Sequence, residues 1–247
     1  MKVAATYSIK GGVGKTTTAV NIGYEASKGG ARVLLWDLDP QGAATFLLRV
    51  RPKVKGGTKR LVGAQGALGE HIRGSDIASL HVLPADFSLR HLDLHLDARK
   101  RPTERLAALL RPLCGLYDLV ILDCPPSISL ASESVFGAAD LLLVPVVPAT
   151  LAGRTLTQLG TFLADLPASP AVVPIISMVD RRKKLHRELA DDIARDWPQT
   201  LATTVPSASV VERMGVERAP VGAFAPRSSA AVAFRDAWRE LAGRLWR

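Results

Sequence analysis

Short apolar runs alternate with segments of helical periodicity along most of the chain. Many of the runs are unbroken Val, Ile and Leu, which is typical of parallel strands buried on both faces. Strands are predicted over residues 3–9, 32–37, 80–83, 119–123, 141–147, 172–177 and 201–205. Helices are predicted over residues 17–27, 102–113, 153–166, 185–196 and 230–246. The alternation predicts a single α/β domain over residues 1–247, a doubly wound, mostly parallel sheet with helices on both faces.

A glycine-rich sequence, Lys-Gly-Gly-Val-Gly-Lys-Thr-Thr at positions 10–17, directly follows the first predicted strand. A strand, a glycine-rich turn and a helix in this order surround a polyphosphate with backbone N–H groups. We expect Lys15 to reach the β- and γ-phosphates and the Thr16 hydroxyl to ligate Mg²⁺. The residues expected to contact the nucleotide here are Gly11, Gly12, Val13, Gly14, Lys15, Thr16 and Thr17.

This loop departs from the general phosphate-loop pattern at one informative place. Ile9 stands where a glycine is expected, and Lys10 adds a second lysine close to the phosphates. The string resembles the deviant Walker A loop of the ParA/MinD superfamily, in particular its ParA-like partition and cargo-positioning branch. The resemblance implies a P-loop ATPase that forms an ATP-dependent homodimer. It also implies that Lys10 acts in trans, on the nucleotide held by the other subunit, as an arginine finger does.

Carboxylates follow two of the predicted strands. Asp37 and Asp39 occupy alternate positions in Asp-Leu-Asp-Pro-Gln-Gly and are expected on one side, facing the nucleotide. By the resemblance, Asp39 orients the attacking water and Asp37 supports the Mg²⁺ shell. Asp123 ends an apolar strand before Pro125-Pro126, which is the Walker B arrangement of a Mg²⁺ site. The predicted catalytic residues are Lys10, Lys15 and Asp39, and the predicted metal-site residues are Thr16, Asp37, Asp39 and Asp123.

The C-terminal half extends the resemblance to the same family. The segments that begin at Ser177 and Thr204 resemble its Met-x-Asp-x-Arg and Ile-Pro motifs, which implies that Met178 and Pro206 flank the adenine. The chain has no Asn-Lys-x-Asp string of the kind that reads guanine, so ATP is favoured over GTP.

The net charge of +9 and the isoelectric point near 9.9 favour an anionic partner. ParA-like members bind double-stranded DNA without sequence preference as ATP dimers, and the resemblance therefore implies nucleoid DNA as a partner. The candidate DNA-binding residues are Arg181, Arg182, Lys183, Lys184, Arg213, Arg218 and Arg227. A basic insertion over residues 49–60 contains six basic residues and no acid, and Pro52 and its glycine pair predict a surface loop. This loop contacts DNA or a protein, or is simply solvated.

Other functions remain open at this point. The alternative is a MinD-like membrane-cycling ATPase, since Phe234, Trp238, Leu241 and Leu245 line up at helical spacing among arginines. The same stretch also fits a final core helix. An iron–sulfur reductase fits less well, because the chain contains only Cys114 and Cys124. We predict a cytoplasmic, nucleoid-associated ATPase without a membrane partner, stimulated by a ParB-like or cargo-adaptor protein.

Overall fold

A seven-stranded sheet forms the centre of the computed structural model, which describes residues 1–63, 68–166 and 169–246. The strands are β1 Lys2–Thr6, β2 Val33–Asp37, β3 Arg73–Gly74, β4 Leu80–Leu83, β5 Leu119–Asp123, β6 Leu141–Val146 and β7 Ala171–Ile176. Their order across the sheet is β3-β4-β2-β5-β1-β6-β7, and only the β3–β4 pair is antiparallel. The predicted fold class is therefore confirmed.

Helices follow most of the strands. The α-helices of the described residues are α1 Lys15–Lys28, α2 Ala43–Leu47, α3 Gly57–Gly63, α4 Leu68–His71, α5 Leu92–Asp97, α6 Arg105–Leu110, α7 Leu130–Phe136, α8 Ala152–Ala164, α9 Lys184–Asp196, α10 Ser209–Glu212, α11 Met214–Glu217, α12 Val221–Phe224 and α13 Ser229–Leu245. None of these helices combines the length and the apolar character needed to cross a bilayer.

Two apolar cores lie on opposite faces of the sheet. Along β2, Val33 and Leu35 join one core while Leu34 and Trp36 join the other, because successive strand residues point to opposite faces. Helices α1 and α13 supply side chains to the first core, and α5, α6, α7 and α8 supply the second. Burial on both faces explains why the strands are unbroken apolar runs.

The predicted strand at residues 201–205 is wrong. Only its ends bond to β7, where Leu201 N–H donates to Pro174 O and Val205 N–H donates to Ile176 O. Between them, the N–H groups of Ala202 and Thr203 donate to the Glu240 carboxylate at 2.8 and 2.9 Å. The backbone N–H groups that would pair with a neighbouring strand therefore bind a side chain of α13 instead.

Two other predicted elements are also corrected. The helix predicted over residues 102–113 is α-helical only over Arg105–Leu110 and ends just before Pro112, which has no N–H to continue it. The basic insertion over residues 49–60 is not entirely a surface loop. Its Val50 and Val54 are buried, and its last four residues form the start of α3.

Candidate active site

The glycine-rich turn ends at the first residue of α1. Gly14 has φ 93° at the N-cap position and offers no capping side chain, and the first helical turn contains no acidic residue. The first N–H groups of α1 therefore point out of the helix without internal acceptors, which is the geometry of an anion site. A Cβ atom at Gly14 would also lie 3.3 Å from Ser177 Oγ, so a larger residue would crowd the turn.

The two lysines of the loop have opposite environments. Lys15 is only 7% exposed, and its Nζ donates to Lys10 O at 3.4 Å. Burial lowers the pKa of Lys15, and the negative charge of Asp123 opposes that shift. The Lys10 side chain is exposed, and only its backbone contributes to the turn, through a hydrogen bond from its N–H to Ser8 Oγ. Lys15 is thus part of the loop's interior, whereas Lys10 is presented outward.

Asp123 is a buried carboxylate with one oxygen unused. Its Oδ1 accepts a hydrogen bond from Thr6 Oγ1 at 3.2 Å, and within the described residues its Oδ2 has no partner. Burial, followed by the negative charge of Asp37, raises the pKa of Asp123, while the side-chain hydroxyls of Thr16 and Thr6 oppose the rise. An unpaired, buried carboxylate oxygen next to a threonine hydroxyl suits Mg²⁺, which binds oxygen ligands. The residues present therefore fit the metal.

Asp37 is used mainly to hold the beginning of α2. Its Oδ2 accepts from both Thr45 N–H and Thr45 Oγ1, at 2.8 and 2.7 Å, and its Oδ1 accepts from Asp39 N–H at 3.2 Å. Thr45 Oγ1 also accepts from Ala85 N–H at 2.9 Å. Both oxygens of Asp37 therefore have protein partners, and its support of the Mg²⁺ shell stays a prediction.

Asp39 lies in the turn that joins β2 to α2. Its Oδ1 accepts from Gln41 N–H, and its backbone carbonyl accepts from Gly42 N–H, both at 2.9 Å. The side chain is half-buried, and its negative charge is among those that raise the pKa of Asp123. The turn thus holds Asp39 beside the buried carboxylates, while its action on water stays a prediction.

Met178 and Pro206 lie on two adjoining segments near the same loop. Met178 has φ 56° and is 37% exposed, and its Cε lies 3.6 Å from the point where a Gly14 Cβ would be. The next residue, Val179, bridges to Pro206. The structure therefore brings Met178 close to the glycine-rich loop, and Pro206 pairs with the residue that follows Met178. The contact of both residues with adenine stays a prediction.

The first basic cluster follows β7 and ends at the first residue of α9, and its four side chains, Arg181, Arg182, Lys183 and Lys184, are all exposed. Arg182 forms two 3.0 Å hydrogen bonds to Asp180, and Lys184 pairs with Glu188 at 3.4 Å. Across the described part of the chain, Arg181 and Lys183 have no such ion pair. Two of the four charges in this cluster are therefore without an ion pair among the described residues.

The downstream arginines do not share one environment. Arg227 is exposed, whereas Arg213 pairs with Glu217. Arg218 donates to Phe46 O at 3.1 Å, and its guanidinium lies 4.5 Å from the centre of the Phe46 ring. Arg218 is thus engaged with α2, and its contact with DNA stays a prediction.

Three polar residues of the site were not singled out from the sequence. Thr6 and Thr45 hold Asp123 and Asp37, and Asn21 bonds Thr17 O through Nδ2 and Val221 N–H through Oδ1, both at 2.8 Å. The strand predicted over residues 3–9 runs past Thr6, so the sequence did not indicate that Thr6 is the last residue of β1. Thr45 and Asn21 sit in helices, where such residues are ordinary.

The comparisons with known proteins agree with this geometry. A family model described as an AAA domain matches residues 1–169. The chromosome partitioning protein ParA of Caulobacter vibrioides is 32% identical over 207 residues, which cover 78% of this chain and 75% of that protein. The sporulation initiation inhibitor protein Soj of Bacillus subtilis is 28% identical over 98% of both chains.

Solved structures extend the likeness over the whole chain. Cobyrinic acid a,c-diamide synthase from Mycobacterium smegmatis, with bound ATP analogue and magnesium, has a TM-score of 0.83 and 29% identity, over 100% of this chain and 96% of that one. The cell division ATPase MinD of Pyrococcus furiosus shares the fold, with a TM-score of 0.81 and 21% identity over 98% and 99% of the two chains. A second structure of that synthase contains ADP and magnesium. The chain belongs to the ParA/MinD superfamily of ATPases.

Proposed function

We propose that this ATPase forms an ATP-dependent homodimer, binds double-stranded DNA without sequence preference, and drives the partitioning or positioning of DNA or a large protein cargo. A ParB-like or cargo-adaptor protein stimulates hydrolysis and releases the dimer from the nucleoid. The name of the Caulobacter relative, a chromosome partitioning protein ParA, supports this branch of the family.

Each group in the site has a role in phosphoryl transfer. The N–H groups at the start of α1 and the Lys15 ammonium bind the phosphates and neutralise charge that develops on them. Thr16 and Asp123 hold Mg²⁺, which when bound neutralises charge on the β- and γ-phosphates. Asp39 orients water in line with the γ-phosphate. The site works by positioning and charge, without a covalent intermediate.

The observation that carries the dimer proposal is the contrast between the two lysines. Lys15 is buried in its own loop, so one cation already serves the phosphates within the subunit. Lys10 is exposed five positions earlier. A cation presented outward at the edge of a nucleotide site is placed to serve the nucleotide of a second subunit. Release of the γ-phosphate then weakens the dimer, so that hydrolysis is the switch.

Two observations favour DNA over a membrane as the charged surface. Arg181 and Lys183 have no carboxylate partner among the described residues and can neutralise phosphates. In α13, Phe234, Leu241 and Leu245 are buried against the sheet and Trp238 is partly buried. The apolar side of α13 is therefore occupied by core packing, and it is not free to lie in a bilayer as the MinD-like alternative requires.

A co-pelleting assay tests this function. The protein is incubated with DNA-coated beads or with anionic liposomes, each with ATP, with ADP or without nucleotide. We expect ATP-dependent retention on DNA, little retention on liposomes, and release as salt rises. ATP-dependent retention on liposomes, with none on DNA, would support the membrane-cycling alternative instead.

A further inference from the structure

A groove lies beside the turn that carries Asp39 and encloses about 430 Å³. Pro40 and Gln41 form one wall, and Val50 and Pro52 from the basic insertion form another. The groove therefore adjoins the predicted hydrolytic residue on one side and the basic insertion on the other.

Exposed phenylalanines stand at the edges of this groove. Phe46 is 50% exposed and Phe87 is 65% exposed, which is unusual for side chains of this size. An arginine guanidinium lies over each ring. The guanidinium carbon of Arg218 is 4.5 Å from the centre of the Phe46 ring, and that of Arg90 is 4.1 Å from the centre of the Phe87 ring. Apolar surface and fixed positive charge are thus presented together.

The charge around the groove is positive. Arg51, Lys53 and Lys55 are exposed in the segment that forms one wall. The acid in the lining, Asp86, is already satisfied, because its Oδ2 accepts from Val54 N–H and its Oδ1 accepts from Ser88 N–H. An occupant with negative charge and apolar side chains complements this surface.

The groove is also connected to Asp39 through backbone hydrogen bonds. Gly42 N–H donates to Asp39 O, and Phe46 N–H donates to Gly42 O, both at 2.9 Å. A partner that packs against Pro40 and Phe46 therefore presses on the turn that holds Asp39.

We propose that the groove between Phe46 and Phe87 docks an acidic segment of the partner protein that bears apolar or aromatic side chains. The inference rests on the proposed partner-stimulated function. Single-stranded nucleic acid is a poorer occupant, because a guanidinium already covers one face of each phenylalanine ring on which a base would stack. A second copy of this chain would bring the same positive rim against the first, with like charges opposed.

The test selects peptides without assuming the partner. A random-peptide phage library is panned on the full chain with ATP and Mg²⁺, and the enriched peptides are synthesised and titrated. The groove variant is Phe87→Ser with Arg90→Gln. The matched control is Leu116→Ser with Arg111→Gln, which changes an equally exposed apolar residue and an arginine elsewhere.

We expect the selected peptides to be rich in Asp or Glu with Leu or aromatic residues. The groove variant should weaken their binding at least about tenfold, which corresponds to 1.4 kcal/mol, and the control should not. A basic consensus, no consensus, or equal binding to both variants overturns the proposal. The proposal is also overturned if the main effect of the groove variant is a loss of single-stranded oligonucleotide binding or of self-association.

Two further measurements separate this inference from the proposed function. Basal ATP hydrolysis and ATP-dependent DNA pelleting are followed for the same proteins. If the protein pellets with DNA but selects no acidic peptides, the docking site is overturned and the proposed DNA-binding function is not. Acidic peptides that bind the groove in a protein that never binds DNA support the docking site and overturn the DNA-binding function.

Discussion

Asp37 and Asp123 occupy paired positions at the ends of β2 and β5, and both side chains are buried. Asp37 has protein partners for both oxygens, whereas Asp123 leaves one oxygen unpaired in the described structure. Burial, and then the charge of Asp37, raises the pKa of Asp123. Asp37 therefore holds the backbone of the turn, whereas Asp123 keeps an oxygen that can bind the Mg²⁺ ion we propose.

Thr45→Val tests the structural part of that division. The substitution keeps the shape of the side chain but removes the hydroxyl that donates to Asp37 and accepts from Ala85 N–H. We expect the free energy of unfolding in urea to fall by about 1–3 kcal/mol, because buried polar groups lose their partners. Thr157→Val, on the exposed side of α8, is the control and should change it by less than about 0.5 kcal/mol. Equal effects of the two changes would contradict this role.

Lys15→Ala should abolish ATP binding. The buried ammonium is the cation that the loop itself supplies to the phosphates, and no other lysine of the loop is buried with it. Titration with a fluorescent ATP analogue measures the effect, and we expect a loss of at least about a hundredfold in affinity. Lys28→Ala, at the exposed end of α1, should bind as the natural protein does. Retained affinity in Lys15→Ala would remove Lys15 from the phosphate site.

Asp39→Ala should trap the ATP-bound dimer. Without the carboxylate that orients water, ATP stays intact and the subunits stay together. Size-exclusion chromatography in ATP and Mg²⁺ should show a dimer for Asp39→Ala that persists after the natural protein has returned to monomer. Asp97→Ala, an exposed change in α5, should behave as the natural protein. A monomeric Asp39→Ala protein that hydrolyses ATP at the normal rate would refute the assignment.

Arg181→Glu with Lys183→Glu should weaken DNA binding. These two cations have no ion pair within the described residues and are the best candidates to contact phosphate. The slope of log affinity against log salt should also become shallower, by about 0.9 for each lost contact. Arg111→Glu with Arg154→Glu changes net charge equally at other exposed positions and should matter less. Equal gel shifts for the two double variants would indicate a general charge effect.

The glycine-rich loop and the carboxylates at the strand ends could be predicted because local chemistry dictates them. Gly14 needs a positive φ, and Asp123 is the last residue of a strand whose every residue is buried. The segment at residues 201–205 could not be predicted from its own pattern. Two of its N–H groups bind Glu240, which lies 37 or 38 positions away, instead of a neighbouring strand. The pattern of apolar residues does not reveal a distant side chain of this kind.

The same limit applies to the basic insertion. Its single proline and its glycine pair predicted a loop correctly over its first part, but Val50 and Val54 pack into the protein. The Val54 N–H reaches the Asp86 carboxylate at 2.9 Å, and Arg49 donates to Glu217 O at 2.8 Å. Long-range contacts of this kind decide which basic residues remain exposed, so the count of charges alone could not locate a surface.

The action of Lys10 across the dimer is tested most directly by mixing two inactive variants, Lys10→Ala and Asp39→Ala, before ATP is added. If Lys10 acts in trans, each mixed dimer contains one complete site, with Asp39 from one subunit and Lys10 from the other. Random pairing then restores about a quarter of the natural activator-stimulated ATPase rate. A mixture as inactive as either variant alone would contradict action in trans and place Lys10 at its own subunit's nucleotide.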